Sequence, residues 1–282
     1  MRPILETKQL SYSYDKQRKA LEQVSISIQE GAVTAILGGN GAGKSTLFLN
    51  LNGVLKPQEG EVWYRGERVR YDAKGISALR KKVGIVFQDP NDQLFSADVI
   101  SDISFGPMNL GLSESEVRAI VQDVAAQTGV EEFARRPAHA LSFGQKKRVA
   151  IAGVLAMQPE VIILDEPTAG LDPAGVSEIL QLLVELQKTR SLTILLSTHD
   201  IDIVPLYCDY AYVLDHGRVA LADTAEELFS RAEELRRYSL RLPRIAHLME
   251  ILKKEDRLDV DERAATISKA RKTVKELVER DE

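Results

Sequence analysis

The chain has 282 residues, 44% of them hydrophobic and 28% charged, with a formal net charge of -5. That composition suits a globular protein large enough for one or two domains, and the acidic balance gives no reason to expect a nucleic-acid partner. The longest apolar runs, VIIL at 161–164 and LTILL at 192–196, are strand-sized and argue against a membrane-spanning helix. The opening MRPILETKQL lacks the apolar core of a secretory signal. The one cysteine, Cys208, cannot form an internal disulfide and reads as a small buried residue, and the four histidines have no metal-ligand spacing.

From the start to about residue 37, alternating stretches predict strands: QLSYSY, then VSISI with Val24, Ile26 and Ile28 on one face. AVTAIL is an apolar strand that runs into GGNGAGKST. The spacing next predicts a helix with Leu47, Phe48, Leu51, Val54 and Leu55 as its apolar positions, stopped by Pro57. EVWYRGERV reads as a hairpin about Gly66, and KKVGIVFQ as a second buried strand. Between about 90 and 158 the chain turns helical. Ser113 and Glu116 have capping-box spacing ahead of the stripe Val117, Ile120, Val121 and Val124. A second box, Ser142 and Gln145, opens ALSFGQKKRVA, and Val149, Ile151, Ala152, Val154 and Leu155 then line a core-facing helix. After that come VIIL, a helix from Pro173, LTILLS, a short helix and the hairpin YVLDHGRVAL. Buried strands alternating with helices predict an α/β fold with a mostly parallel sheet covered on both faces. The helical block is an insertion between strands. From about 241 to 282 the chain becomes a charged helical extension with Ile267, Val274, Leu277 and Val278 as its apolar positions.

Residues 38–45 match G-x-x-x-x-G-K-[ST] between a strand and a helix, the setting of a phosphate-binding P-loop. The run Gly38, Gly39, Asn40, Gly41, Ala42, Gly43 turns backbone N–H groups toward phosphate oxygens. Lys44 reaches the β and γ phosphates, Ser45 offers its hydroxyl to Mg²⁺, and Thr46 closes the run. VIILDEP brings Asp165 and Glu166 to the carboxyl end of a buried strand, where open α/β sheets bind ligands. Asp165 is the candidate metal partner through water, and Glu166 the general base or water-orienting group. Gln88 and His199 end two more apolar strands. A parallel sheet sets both beside the same phosphate, His199 toward the γ-phosphate and Gln88 toward the metal or the water. The capped helix at Ser142 is a second anion-binding end, since its first turn carries unpaired N–H groups and partial positive charge.

The P-loop, FQDP at Gln88, LSFGQ, LDEPTAGLD and STHD, in this order and spacing, resemble the nucleotide-binding subunit of an ATP-binding cassette (ABC) transporter over about residues 4–240. The resemblance implies a P-loop NTPase core with an N-terminal antiparallel β subdomain within 1–240, an ATPase using ATP and Mg²⁺. Tyr14 would stack on adenine, although Tyr12 stands two residues away. Ser142, Phe143, Gly144 and Gln145 would hold the γ-phosphate bound to the P-loop of a second ATP-binding subunit. Asp172 would lie at the boundary of that dimer, and with Pro173 it also has the form of a helix start.

FQDPNDQLF, FGPMNLGLS and QKKRVAIAGVLAM resemble the cobalt/nickel and energy-coupling-factor importers, and LRLPRIAHLMEIL leans toward the cobalt branch. This implies a peripheral protein on the cytoplasmic face of the cell membrane, working with a transmembrane coupling protein and a substrate-binding membrane protein. DPNDQLFSADVISDISFGP would be the docking surface. A vitamin-type energy-coupling-factor importer or another ABC transporter is the alternative. A soluble ABC ATPase acting on DNA or ribosomes is the alternative of another class, and the long coiled-coil insertion or second cassette of such proteins is not in this sequence. Gly39 replaces the usual proline of the family's P-loop, and Phe143 the first of two glycines in its signature. Residues 241–282 read equally as a solvated helical tail or as a dimerisation and regulatory element.

Overall fold

The computed structural model describes residues 2–15 and 18–281. β1 (Pro3–Ser13) and β2 (Lys19–Gln29) pair antiparallel, with Val24, Ile26 and Ile28 on one buried face. β3 (Val33–Leu37) is buried throughout and leads through the P-loop into α1 (Lys44–Leu51). β4 (Glu59–Tyr64) and β5 (Glu67–Arg68) form the hairpin at Gly66, and β4 also pairs with β1. The result is a four-stranded antiparallel sheet in the order β2-β1-β4-β5. Then come α2 (Ala73–Lys82) and β6 (Val83–Val86), followed by the helical block of α3 (Val99–Asn109), α4 (Glu114–Thr128) and α5 (Phe143–Leu155). Both capping boxes form, at Ser113 for α4 and at Ser142 for α5.

The β/α alternation resumes with β7 (Val161–Leu164), α6 (Pro173–Arg190), β8 (Thr193–Ser197), α7 (Val204–Tyr207), β9 (Tyr210–Asp215) and β10 (Arg218–Thr224). The second sheet runs β10-β9-β3-β8-β7-β6, parallel except for β10 at its edge. Side chains along its strands divide between two cores, as a period of two requires. Val33, Ala35, Leu37, Ile162, Leu164, Ile194 and Leu196 pack with the helices of the inserted block and α6. Ile36, Val161, Ile163 and Leu195 pack with α1 and the antiparallel sheet. A sheet buried on both faces leaves its strand ends as the open place for chemistry, and β3, β6, β7 and β8 all end at the P-loop side.

One local expectation is corrected and one element is added. α1 ends at Leu51 and does not run on to Leu55. Gly53, with φ of 73°, lies so close to α2 that a Cβ there would sit 2.9 Å from Ile76 Cδ1, and Val54 is left exposed. α2 itself was not foreseen. It is capped by Asp72, which accepts a hydrogen bond from the Gly75 N–H, but it buries only Leu79, too little to print an apolar stripe on the sequence.

α8 (Ala225–Ser230), α9 (Ala232–Arg237), α10 (Arg244–Lys254) and α11 (Ile267–Asp281) complete the chain. Leu242 and Ala246 join the larger core, whereas Met249, Val260, Ala264 and Ala270 form a small cluster between α10 and α11 with Leu277 against it. Of the apolar positions expected in the extension, Ile267, Val274 and Val278 are exposed and only Leu277 packs. Glu250 on α10 pairs with Arg236 on α9 and with Lys254, and Lys269 on α11 pairs with Glu226 on α8. Cys208 packs on the larger core, and burial pushes its thiol up to about 12. No helix among the described residues is long and apolar enough to cross a membrane.

Candidate nucleotide-binding and catalytic site

Backbone conformation builds the P-loop. Gly38 has φ of 145°, and a Cβ there would meet the Leu214 carbonyl oxygen at 2.3 Å, so only glycine fits. Gly41 and Gly43 also take positive φ, the latter as the left-handed start of α1. Lys44 is buried and its Nζ donates to the carbonyls of Gly38, at 2.9 Å, and Gly39, at 3.2 Å. Burial lowers its proton affinity, and the charges of Glu166 and Asp165 work against that.

The Asp165 carboxylate is held by two hydroxyls. Ser45 Oγ donates to Asp165 Oδ2 at 2.5 Å, and Ser197 Oγ donates to Asp165 Oδ1 at 2.6 Å while accepting from the Glu166 N–H at 2.9 Å. Glu166 itself is buried, in the left-handed region with φ of 47°. Its Oε2 accepts from the His199 backbone N–H at 3.2 Å, and its Oε1 lies 3.1 Å from His199 Nε2 without the alignment of a hydrogen bond. Burial raises the Glu166 pKa, while His199 and Lys44 pull it back. A carboxylate with raised proton affinity is suited to accept a proton.

Tyr14, Asn40, Gly41, Ala42, Gly43, Lys44, Ser45, Thr46, Gln88, Asp165, Glu166 and His199 all line one cavity of about 420 Å³. Gly38 and Gly39 do not line it themselves; their carbonyls are the partners of Lys44, which does. Tyr14 is 64% exposed with its hydroxyl 3.2 Å from Thr46 Oγ1, whereas Tyr12 packs into the core and meets Tyr14 edge to face. Of the two, Tyr14 is the ring open to a ligand.

Ser142, Phe143, Gly144, Gln145 and Asp172 do not line this cavity. Ser142 and Gln145 close their capping box reciprocally: the Ser142 N–H donates to Gln145 Oε1 at 2.9 Å and the Gln145 N–H to Ser142 Oγ at 3.2 Å. The Phe143 ring is turned into its own chain, against Gly170, where an added Cβ would stand 3.0 Å from Phe143 Cε1. With Gln88 and Asp165 it lines a second cavity beside the first. Asp172 caps α6 by accepting from the Gly175 N–H at 2.8 Å.

Sequence reasoning missed Ser197, His216 and Lys147. Ser197 is one more polar end on an apolar strand. His216, in the turn between β9 and β10, lines the P-loop cavity through a long-range approach that no local pattern marks. Lys147 is fully buried, and burial lowers its pKa to about 8. A charge at i−4 and i−7 from the buried Ile151 and Val154 was the available signal.

The sequence profile of the ABC transporter family matches residues 21–169, more than half of the chain. The chain belongs to the ABC transporter ATPases. This ABC ATPase is an ATP-hydrolysing transporter subunit, and over 271 residues it is 55% identical to the energy-coupling factor transporter ATP-binding protein EcfA2 of Clostridium perfringens. That alignment covers 96% of this chain and 95% of the relative. EcfA of Methanococcus maripaludis is 51% identical over 275 residues, 98% of each chain. The structure of cbiO1 from Clostridium perfringens, described as part of the ABC transporter complex cbiONQ, superposes with a TM-score of 0.78 at 55% identity. It covers 89% of this ABC ATPase and 100% of that chain. A dimeric ATP-binding cassette in a post-hydrolysis state with ADP and phosphate matches with a TM-score of 0.71 at 29% identity, covering 79% and 99% of the two chains.

Proposed function

We propose that this ABC ATPase powers import of a small substrate, a cobalt or nickel ion, through a separate transmembrane coupling protein and a substrate-binding membrane protein. The observation that carries this reading is the likeness, over nearly the whole chain, to energy-coupling factor ATPases and to a subunit of cbiONQ. Two copies, or this chain and a similar one, sandwich two ATP molecules head to tail on the cytoplasmic face of the membrane. The placement of Ser142, Gly144 and Gln145 outside their own chain's P-loop cavity supports this, because the capped end of α5 then serves a partner's γ-phosphate. Asp172 lies at the same boundary.

Within each site Tyr14 stacks on adenine and the P-loop N–H groups hold the phosphates, while Lys44 trades its two carbonyls for phosphate oxygens. Glu166 orients the attacking water and accepts its proton, and His199 faces the γ-phosphate. The donor set fits Mg²⁺: Ser45 and Asp165 present only oxygens, already converging on each other, with the Gln88 amide beside them. Those residues would hold the ion, which when bound neutralises charge on the β and γ phosphates.

Phe95 and Phe105 supply the docking surface. They meet edge to face, 4.7 Å between centroids, and stand exposed beside a groove of about 240 Å³ lined by Gln93, Leu94, Asp102 and Met157. Asp102 Oδ1 accepts the N–H groups of Phe95 and Ser96, and its buried Oδ2 has no partner among the described residues. Apolar rings around one unpaired acceptor suit a helix from the coupling protein.

Two measurements test the proposal. Tagged Glu166→Gln chain should bind ATP, hydrolyse it at least a hundredfold more slowly and form an ATP-dependent dimer; wild-type turnover removes Glu166 from its role. From detergent-solubilised membranes the tagged wild-type chain should bring down transmembrane proteins and, in proteoliposomes, drive ATP-dependent uptake of Co²⁺. A ribosome-bound or DNA-bound pool overturns the transport reading, and uptake of a vitamin without Co²⁺ overturns the cargo.

A further inference from the structure

Lys147 is the fully buried charged side chain that the catalytic reading leaves unused. Its Nζ donates to two backbone carbonyls, Gln88 O at 2.7 Å and Glu166 O at 3.0 Å, and among the described residues to no carboxylate. The charges of Asp165, Glu166 and Asp89 reach it only through space, and the Phe143 ring one turn earlier stands with its centroid 5.7 Å away. Burying an ammonium in such surroundings is costly, and a methionine would fill similar volume without that penalty. The two carbonyls explain what the ammonium does there.

Gln88 lies on the link from β6 into the helical block. Glu166 occupies a backbone region that a branched or bulky side chain disfavours, and Pro167 follows it, which restricts it further. A peptide in that state keeps its direction only if its surroundings hold it. Ser197 Oγ holds the N–H end of Glu166 and Lys147 holds the carbonyl end. The aim of the Glu166 side chain is thereby set between β8 and α5.

α5 also carries the capped end at Ser142, about 7.5 Å from Lys147 along the helix axis. A shift of that helix moves the ammonium with it, and the ammonium grips the Glu166 peptide. We propose that Lys147 is a positioning residue that couples the seat of the signature helix on a partner's nucleotide to the aim of the same chain's Glu166. The coupling makes hydrolysis depend on closure from within each subunit, in addition to completing the partner's site. It rests on the reading of α5 as the trans phosphate-binding end.

The test is Lys147→Met in the full chain, with Lys147→Gln, which keeps a donor for one carbonyl, as the second variant. Expected for Lys147→Met is a kcat at least fivefold below wild type with KM for ATP and the affinity for a fluorescent ATP analogue within twofold. In a Glu166→Gln background the same substitution should leave the ATP-dependent dimer intact by light scattering. A kcat loss under fivefold overturns the proposal. So does a loss accompanied by weakened nucleotide binding and a lost dimer, which marks a merely structural lysine. If Lys147→Met does not fold, Lys147→Gln is judged by the same limits. Failure of Glu166→Gln alone to dimerise with ATP sinks the trans-phosphate reading, and with it the coupling, whatever the Lys147 variants do to kcat.

Discussion

Gly217 gives the sharpest test of how the P-loop is backed. It sits in the turn between β9 and β10 with φ of 76°; its N–H donates to Ala42 O at 3.0 Å and its carbonyl accepts from the Glu22 N–H at 2.8 Å. The turn thus ties the P-loop to β2 from behind. Gly217→Ala would set a Cβ 2.6 Å from Ala20 O and 3.2 Å from Leu21 Cα, both backbone atoms that cannot rotate away. A left-handed backbone costs a residue with a Cβ roughly 1 kcal/mol, and overpacking against backbone adds roughly 2, for a total of about 3 kcal/mol. In a chain of this size that lowers Tm by roughly 6 °C or more. If the turn withdraws instead, Ala42 O loses its donor, worth about 1 kcal/mol and so roughly fivefold in ATP affinity. Calorimetry without nucleotide and titration with a fluorescent ATP analogue read the two outcomes. A variant within 1 °C and 1.5-fold of wild type (thresholds of about the measurement error) would refute the backing role.

Two further predictions use other contacts. Phe143→Gly removes the ring from Gly170 and adds helix-start freedom, so Tm should fall by roughly 4 °C for about 2 kcal/mol lost; ATP hydrolysis should stay similar, and a tenfold rise would show that the ring obstructs the partner's phosphate. Arg236, with help from Lys254, holds the Glu250 carboxyl at about 2, far below its ordinary 4.5. That difference corresponds to a ceiling of about 3 kcal/mol, and partial exposure of Arg236 reduces it to about 2. The depressed pKa means this stability is fully present above pH 4.5 and is lost as pH falls toward 2. The gap between wild type and Glu250→Gln in calorimetry should therefore shrink from pH 7 to pH 3, and a constant gap would refute the assignment.

Most of the cavity could be read before the fold was in view. A P-loop is a contiguous run, and Gln88, Asp165, Glu166 and His199 each mark the end of an apolar strand, so a parallel sheet alone assembles them. The capping boxes at Ser113 and Ser142 are local hydrogen bonds and were equally legible. What stayed hidden depends on distant partners. Gly217 needs β2, Ser197 needs the Asp165 carboxylate and the Glu166 N–H, and Lys147 needs two carbonyls lying 59 and 19 residues away. α2 escaped because one buried leucine leaves no period, and α1 was read too long because its end is decided by the approach of α2 to Gly53. The helical character of the extension was legible from its period, but a period does not say which positions pack: Leu277 does, and Ile267, Val274 and Val278 face outward.

Cys208 has a practical consequence. It is the sole cysteine, half-buried against the larger core, and burial pushes its thiol up to about 12. Maleimide chemistry near neutral pH needs a thiolate, so the native thiol labels slowly beside an exposed one. A cysteine introduced at an exposed position becomes a unique handle without first deleting the native one. Dyes on such handles at the capped end of α5 and at the rim of the P-loop cavity would report the approach of two subunits in real time, on an otherwise unmodified ATPase.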